Sequence, residues 1–345
     1  MSQKVDILFD AYARSSGFRE KAGVEGLVLM LPAWVKRICV INPDFGIVCP
    51  MNIAMSRRSA LRTISGGAVA LAATSSLPAR LHAADAAAVP KLKGRIHHSV
   101  CRWCYNKIPL DELCKAAKEI GLQSIDLIGL NDFPTLKKHG LICAMVTGVP
   151  GGIADGLNRP ENHDKLVQFF EQTIPVVAEE HYPNMICFSG NRQGMSDEQG
   201  LENCALGLKR IVPTGEKHGV NVCMELLNSK RNHKDYMCDH TAWAVELCQR
   251  VGSERFKLLF DIYHMQIMEG DLIATIRENH QCIAHYHTGG VPGRGEIDET
   301  QEIFYPAVMK AIVESGFKGF VAQEFVPTRP DPLTSLKQCV QICDV

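Results

Sequence analysis

Four apolar stretches in the second half of the sequence each end in a carboxylate or an imidazole group. These groups belong to Glu225, Asp261, His287 and Glu324, at spacings of 36, 26 and 37 residues. Three carboxylates and one imidazole held close together would repel each other and lose hydration, and a divalent cation relieves that repulsion. Mainly oxygen donors with one nitrogen favour Mn²⁺ or Mg²⁺ over Zn²⁺ or Co²⁺. The alternative is that the four groups cap separate loops.

Two further residues are expected to bind a substrate beside such a metal. His264 follows Asp261 by three residues, so the same loop would place an imidazole at the site. A structural, hydrogen-bonded histidine is the alternative for this position. Arg294 lies in the glycine-rich stretch 289–298, and its guanidinium offers a forked set of donors that suits a carboxylate or a polyol. The alternative is a solvated arginine in a flexible loop.

Other polar and aromatic residues near the strand ends are given supporting roles. His285 points to the same face as His287 because side chains alternate along a strand, and His287 is preferred as the ligand because it lies nearer the strand end. His285 is then expected either in an inner layer of the barrel core or beside a metal ligand, without binding the metal itself. Four residues around the first strand could line the mouth of the barrel, although packing in the core or the wall is favoured for them: His97, His98, Trp103 and Tyr105.

The elements that position these residues alternate along the chain from Lys91 onward. Short apolar runs are separated by segments in which apolar residues recur every three or four positions, which predicts helices. Glycines follow five of the helical segments, where a left-handed cap favours this residue: Gly121, Gly140, Gly219, Gly252 and Gly316. The eight predicted strands are 95–104, 124–129, 142–148, 184–190, 221–228, 256–263, 283–288 and 319–326.

This rhythm predicts an α/β protein with a closed (β/α)8 TIM barrel over residues 87–345. Eight repeats in about 250 residues match the usual size of that fold. A doubly wound open sheet is the competitor, but neither G-x-G-x-x-G nor G-x-x-x-x-G-K-[ST] occurs in the sequence. In a barrel the chemistry lies at the carboxyl ends of the strands, which is where the acid and imidazole groups fall.

The N-terminal part of the chain is expected to lie outside this domain. Residues 51–86 resemble a twin-arginine signal peptide, with Arg57-Arg58, a weakly apolar core and an Ala84-Asp85-Ala86 cleavage site. A disordered basic leader and an amphipathic surface helix are the alternatives. Residues 1–50 are interpreted as a disordered extension from a start codon placed too early, or as a membrane-surface segment. Export to the periplasm follows from the signal, and a cytoplasmic location is the alternative.

Composition and charge exclude several classes of protein. The chain has 345 residues, with 37 Lys and Arg against 38 Asp and Glu, and it is 46% hydrophobic, which is typical of a globular protein. The 259 residues after position 86 hold 27 Lys and Arg against 32 Asp and Glu, a net charge of −5 that argues against nucleic acid as a partner. No apolar run is long enough for a membrane span. An oligomer is possible.

Cysteines are frequent but show no paired metal motif. Cys143, Cys187 and Cys223 sit inside apolar strand-like runs and are expected to be small buried side chains. Cys101-Arg-Trp-Cys104 has the spacing of a redox or zinc motif, but a single such pair is a weak signal.

Several of these motifs together resemble the hydroxypyruvate isomerase family within the xylose isomerase-like barrel superfamily. The resemblance covers about 95–345. It implies a TIM barrel and a divalent metal bound by Glu225, Asp261, a strand-seven ligand and Glu324. Two positions depart from the family, with His287 where glutamine is usual and Ile297 where proline is usual, and the histidine is more similar to ketose 3-epimerases. The motifs are Met224-Glu-Leu-Leu-Asn228, Asp261-Ile-Tyr-His-Met-Gln266, His285-Tyr-His287, Pro292-Gly-Arg294 and Gln323-Glu324.

The resemblance implies an isomerase that interconverts hydroxypyruvate and tartronate semialdehyde through an enediolate. Glu225 and Glu324 would exchange the proton at the substrate carbon, and the metal would act as a Lewis acid. His264 would donate to the developing oxyanion and Arg294 would hold a carboxylate or distal hydroxyl. The alternatives are a ketose 3-epimerase, an endonuclease of the same superfamily, which the net charge disfavours, and an exported non-catalytic sugar-binding protein.

Overall fold

The computed structural model describes residues 40–42, 46–48 and 91–345, and the chain divides into two compact units, 1–83 and 84–345. In the first unit, strands β1 (Val40–Asn42) and β2 (Gly46–Val48) pair antiparallel, with Val40 opposite Val48. The predicted signal peptide at 51–86 and the rest of the predicted extension at 1–50 lie outside the described residues.

The second unit is built on a curled, all-parallel sheet. Within residues 91–345 seven strands pair in the order β4-β3-β9-β8-β7-β6-β5, and at least one α-helix separates each strand from the next along the chain. The strands are apolar because helices cover the outside of the sheet and the inside is closed by side chains. They are β3 (His97–Cys101), β4 (Ser124–Asp126), β5 (Asn184–Cys187), β6 (Asn221–Glu225), β7 (Phe256–Asp261), β8 (Ile283–Thr288) and β9 (Phe320–Gln323).

The prediction of a regular third strand at 142–148 is wrong. This segment lies between β4 and β5 but makes isolated parallel bridges, in which Val146 pairs with both Ile128 and Met185. Side chains replace ladder bonds at Ala144: its N–H donates to Ser124 Oγ (2.8 Å), and its carbonyl accepts from Asn184 Nδ2 (2.8 Å). The seven strands and this segment are consistent with a (β/α)8 barrel.

The predicted helices are present, and their ends fall where the glycines indicate. Helix α1 buries Leu113, Cys114 and Ala117 on one face and ends at Gly121, whose φ of 99° is left-handed. All five predicted cap glycines have positive φ. The α-helices of residues 91–345 are α1 (Leu110–Ile120), α2 (Phe133–Lys138), α3 (His163–Glu179), α4 (Asp197–His218), α5 (Thr241–Val251), α6 (Ile262–Met268), α7 (Leu272–Asn279), α8 (Tyr305–Glu314) and α9 (Pro332–Cys343).

Cysteines in the second unit serve the core. Cys143, Cys187 and Cys223 are fully buried, as predicted, and the twelve cysteines of residues 91–345 are free thiols. Burial raises the pKa of each of these three thiols above its usual value, so they stay protonated. Among the described residues, none of the helices combines the length and the hydropathy that a membrane crossing requires.

Candidate metal centre

Neighbouring strands bring the four predicted metal ligands together at one rim of the sheet. Glu225 and Asp261 are the last residues of β6 and β7, His287 lies one residue before the end of β8, and Glu324 follows β9 directly. Asp261 pairs with His287 in the register of β7 and β8. One donor atom from each of the four residues lies within 4.8 Å of the others, and all four side chains are buried. The parallel arrangement of neighbouring strands produces this convergence, because their carboxyl ends meet at one edge of the sheet.

The imidazole of His287 contacts both glutamates of the cluster. Its Nδ1 lies 2.6 Å from Glu324 Oε2 and 3.2 Å from Glu225 Oε1. Burial by itself lowers the pKa of His287, but the two carboxylates outweigh burial and raise it well above its usual value. Burial and the charge of Glu324 raise the pKa of Glu225, whereas Arg294 and His287 keep the pKa of Glu324 well below its usual range despite burial. Two chemically identical carboxylates therefore sit in different electrostatic environments.

Arg294 lies inside this cluster rather than at its mouth. Its Nη2 donates to Asp261 Oδ2 (2.8 Å) and to Glu324 Oε2 (2.5 Å), and its Nε donates to the Glu324 carbonyl (3.1 Å). The side chain is only 12% exposed. The sequence predicted a substrate-binding arginine here and gave no reason to expect its guanidinium among the carboxylates.

His264 stands in the first turn of α6, beside the same carboxylates. Asp261 caps this helix by accepting the His264 backbone N–H at its Oδ1 (3.0 Å). The imidazole Nδ1 accepts the backbone N–H of Asn228 (3.0 Å), and its Nε2 faces Arg294 Nη1 at 2.5 Å. Burial, then the charge of Arg294, lowers the pKa of His264, which favours the neutral ring with its proton on Nε2. The predicted oxyanion donor thus points into the cluster.

The donor set fits a divalent cation. Three carboxylates and one imidazole nitrogen match the oxygen-rich ligand sets of Mn²⁺ and Mg²⁺. The guanidinium of Arg294 is itself a cation held by Asp261 and Glu324, so the cluster already binds positive charge. Glu225, Asp261, His287 and Glu324 would hold the metal.

Cys101, the last residue of β3, and Trp103, two residues after it, contact this cluster. For Trp103 the sequence favoured packing over a place at the mouth, and it gave Cys101 only a weak redox or zinc signal. Trp103 Nε1 donates to Glu324 Oε1 (2.6 Å) while 41% of the residue remains exposed. Cys101 Sγ lies 3.6 Å from His287 Nε2. The only sequence signal was their place at the carboxyl end of a predicted strand, the position where the other site residues were found.

Asp126 and His285 form a second polar pair next to the centre. His285 Nε2 lies 2.7 Å from Asp126 Oδ2, and neither residue is exposed. Asp126 Oδ1 also accepts hydrogen bonds from Ser99 Oγ (2.6 Å) and Ser124 Oγ (2.7 Å). The ring of His285 contacts that of His287 edge to face, with centroids 5.2 Å apart. His285 therefore supports His287 from within, as its place on the strand suggested, whereas the sequence analysis missed Asp126.

Comparisons with known proteins place this geometry in context. The sequence matches the family described as "Xylose isomerase-like TIM barrel" over residues 105–338. It is 26% identical over 259 residues to a "Putative hydroxypyruvate isomerase" of Homo sapiens, covering 73% of this chain and 85% of that protein. It is 22% identical over 234 residues to a "2-oxo-tetronate isomerase" of Pectobacterium atrosepticum, covering 65% of this chain and 88% of that protein.

Solved structures show the same fold. A protein described as "AP endonuclease, family 2 from Brucella melitensis" superposes with a TM-score of 0.65 at 24% identity, over 71% of this chain and 98% of that one. A D-psicose 3-epimerase from Clostridium cellulolyticum superposes with a TM-score of 0.57 at 16% identity, over 72% of this chain and 96% of that one. At these identities the likeness concerns the fold and not the reaction.

Proposed function

We propose a reaction for this chain on the premise that it belongs to the xylose isomerase-like TIM barrel family. In this proposal it uses a divalent metal to interconvert hydroxypyruvate and tartronate semialdehyde, or a close analogue of this pair. The chain is an isomerase of this superfamily, as its relatives named hydroxypyruvate isomerase and 2-oxo-tetronate isomerase indicate. The observation that carries the proposed reaction is the meeting of two glutamates, an aspartate and a histidine within 4.8 Å at the strand ends.

The proposed cofactor is Mn²⁺ or Mg²⁺, held by Glu225, Asp261, His287 and Glu324. When bound, the metal would polarise the substrate carbonyl as a Lewis acid. His287 keeps one nitrogen, Nδ1, directed at the carboxylates, so the ring is already oriented for a ligand role. Trp103 fixes the Glu324 carboxylate through its indole N–H, which leaves the other oxygen of that group toward the cluster.

The proposed reaction moves hydrogen between adjacent carbons with no net oxidation. A carboxylate of Glu225 or Glu324 removes a proton from the hydroxymethyl carbon of hydroxypyruvate, and the electron pair of that C–H bond forms the enediolate. The same or the other carboxylate returns a proton to the former carbonyl carbon, while the hydroxyl proton passes from one oxygen to the other. The alcohol carbon is thereby oxidised to an aldehyde and the ketone carbon is reduced to an alcohol. Such acid–base steps typically contribute about 10² to 10⁴-fold in rate.

Two residues would orient the substrate. His264 has its Nδ1 engaged by the Asn228 backbone, which directs a proton on Nε2 toward the reacting oxygen. Arg294 presents a guanidinium suited to the bidentate binding of a carboxylate. The 2-oxo acid named for one relative is a carboxylate of this kind.

A ketose 3-epimerase is the second candidate. His287 stands where hydroxypyruvate isomerases usually have glutamine, and the fold resembles that of a D-psicose 3-epimerase. The same two glutamates would then remove a proton from one face of C3 and return it to the other. This candidate differs from the first in its neutral substrate.

An exchange screen tests the proposal and separates the two candidates. The protein is incubated with Mn²⁺ in D₂O and, in turn, hydroxypyruvate, tartronate semialdehyde, D-psicose and D-fructose, and proton NMR follows the α-hydrogen. Loss of that signal from the two three-carbon acids, with formation of the isomer, supports the isomerase. Exchange confined to the ketoses supports the epimerase. Neither exchange nor formation of an isomer from any of the four compounds would overturn both candidates and favour a binding protein.

A further inference from the structure

The guanidinium of Arg294 and a divalent metal compete for the same two oxygens. Nη2 bridges Asp261 Oδ2 and Glu324 Oε2 at 2.8 and 2.5 Å. A metal bound to these oxygens would lie at about 2.0–2.2 Å from each. On the side of the two oxygens where Nη2 lies, such a metal would overlap the guanidinium, and the two positive charges would repel each other in a buried site. Arg294 and the metal therefore exclude one another at this position.

We propose that Arg294 is a tethered cation that competes with the divalent metal for Asp261 and Glu324, and that a substrate carboxylate relieves the competition by drawing the guanidinium away. This inference rests on the proposed function and deepens it, because it makes the site selective for hydroxy-carbonyl compounds that carry a carboxylate. Metal and anionic substrate would then bind cooperatively, whereas a neutral sugar would have to displace the guanidinium without compensation.

The backbone around Arg294 is fixed, so withdrawal requires the side chain alone. Arg294 has a φ of 59°, in the left-handed region, between Gly293 and Gly295. Its N–H donates to the Gly290 carbonyl (2.8 Å), and its carbonyl accepts the N–H of Val326 (2.7 Å). A non-glycine residue held in this conformation marks a position that the surrounding structure determines. The guanidinium can move by side-chain rotation while the loop stays in place.

The inward position of Arg294 includes one unfavourable contact, with the imidazole of His264. The His264 Nδ1 accepts a backbone N–H from Asn228, so the proton of the neutral ring is on Nε2. This Nε2 faces Arg294 Nη1 at 2.5 Å, and Nη1 is also a donor. Neither group can accept from the other. Withdrawal of the guanidinium would remove this conflict and leave the His264 N–H free to donate to a substrate oxygen.

A carboxylate is the chemical group best able to draw the guanidinium away. Arginine binds carboxylates through two parallel hydrogen bonds, so the substrate carboxylate would take the place of Asp261 and Glu324 as its partner. Aromatic rings flank the guanidinium, with the ring centroid of Tyr263 at 4.9 Å and that of Trp103 at 5.6 Å, and such faces stabilise a cation. Because coupling between ligands is reciprocal, metal and carboxylate would raise each other's affinity by the same factor.

Metal affinity, measured without turnover, tests this inference. The Mn²⁺ dissociation constant is determined for wild type, Arg294→Gln and Arg329→Gln by counting free Mn²⁺ with electron paramagnetic resonance. Arg329 pairs with Asp298 outside the cluster and serves as the matched control. We expect Arg294→Gln to bind Mn²⁺ about 5- to 150-fold more tightly than wild type, the usual range of coupling between sites. The control should stay within twofold of wild type.

Pyruvate and pyruvamide supply the second measurement, on wild type and Arg294→Gln. They differ only in a carboxylate against a neutral carboxamide, and neither has a hydroxyl group that the proposed reaction could oxidise. Pyruvate should tighten Mn²⁺ binding to wild type more than pyruvamide does, and this difference should vanish in Arg294→Gln. Equal effects of the two compounds on wild type, or unchanged or weaker Mn²⁺ binding in Arg294→Gln, would overturn the inference.

The outcomes separate this inference from the proposed function. Normal hydroxypyruvate exchange by the wild type, together with an unchanged Mn²⁺ affinity in Arg294→Gln, would reject the competition and leave the isomerase intact. Tighter Mn²⁺ binding in Arg294→Gln, with no exchange by the wild type, would support the competition and reject the isomerase.

Discussion

Asp126 and His285 meet across the interior of the curled sheet, with 2.7 Å between the carboxylate Oδ2 and the imidazole Nε2. Strands β3 and β9 separate β4 from β8 in the sheet, so this contact joins strands that are not neighbours. His285 then contacts His287 edge to face. The buried carboxylate of Asp126 is thus separated from the candidate ligand His287 by the ring of His285. There it adds negative charge near the candidate metal centre and helps to fix the orientation of His287.

Asp126→Asn should weaken Mn²⁺ binding by about 10- to 100-fold, because the substitution removes that charge while keeping the shape of the side chain. Isothermal titration measures the dissociation constant. Asp239→Asn is the matched control, since Asp239 is also a buried carboxylate but pairs with Arg192 away from the centre. Equal Mn²⁺ affinity in wild type and a folded Asp126→Asn would contradict a supporting role for Asp126.

Glu225→Gln should keep the fold and lose at least about 10²-fold in the rate of α-hydrogen exchange at saturating Mn²⁺, because an amide cannot accept the substrate proton. Exchange in D₂O followed by NMR gives the rate, and circular dichroism reports the fold. Glu269→Gln removes a carboxylate that caps Thr241 outside the site, and it should exchange at the wild-type rate. A Glu225→Gln protein of full activity would reject Glu225 as an acid–base residue.

Trp103→Phe should lower the exchange rate by about tenfold or more. The substitution keeps an aromatic ring but removes the indole N–H that donates to Glu324 Oε1, and a hydrogen bond to a charged group contributes about 1.5–3 kcal/mol. Trp243→Phe is the control, because its indole donates to the Asp197 carbonyl instead. The account of Trp103 is wrong if both variants exchange at the same rate.

His98 should make the fold sensitive to acid. Burial lowers its pKa from 6.5 to about 4, and Asp344 at 3.7 Å compensates only in part. Between these two pH values the unfolded chain binds a proton that the folded chain does not, so the free energy of unfolding falls as pH falls from 6.5 to 4. The loss from this residue is about 3 kcal/mol at most.

Urea titrations at pH 7 and pH 4.5 measure this effect. His98→Gln should lose less stability over that interval than wild type, because glutamine does not titrate. A variant at the exposed His280 should behave like the wild type. Identical losses in wild type and His98→Gln would show that other groups govern the acid sensitivity.

The sequence predicted the rhythm of the fold well, because helix and strand periodicities are local properties. The glycine caps and the acid or imidazole at the ends of β6 to β9 followed from this rhythm. The third predicted strand failed for a reason that periodicity cannot detect: Ser124 and Asn184 take over the backbone bonds of Ala144 with their side chains.

The contents of the site were predictable only in part. The convergence of Glu225 and Glu324 followed from the geometry of parallel strands. The inward position of Arg294 did not, because it depends on a left-handed backbone and a long side chain. Asp126 and Trp103 were missed because their partners, His285 and Glu324, are more than 150 residues away along the chain.

The most direct test of the account is the metal content of the protein together with its metal dependence. The protein is stripped with a chelator, reloaded with Mn²⁺ and examined by elemental analysis and by hydroxypyruvate exchange, alongside Asp261→Asn. We predict one Mn²⁺ per chain, no exchange by the stripped protein, recovery of exchange on reloading, and weaker Mn²⁺ binding in the variant. Full exchange by the stripped protein, or no Mn²⁺ retained by the wild type, would contradict this prediction.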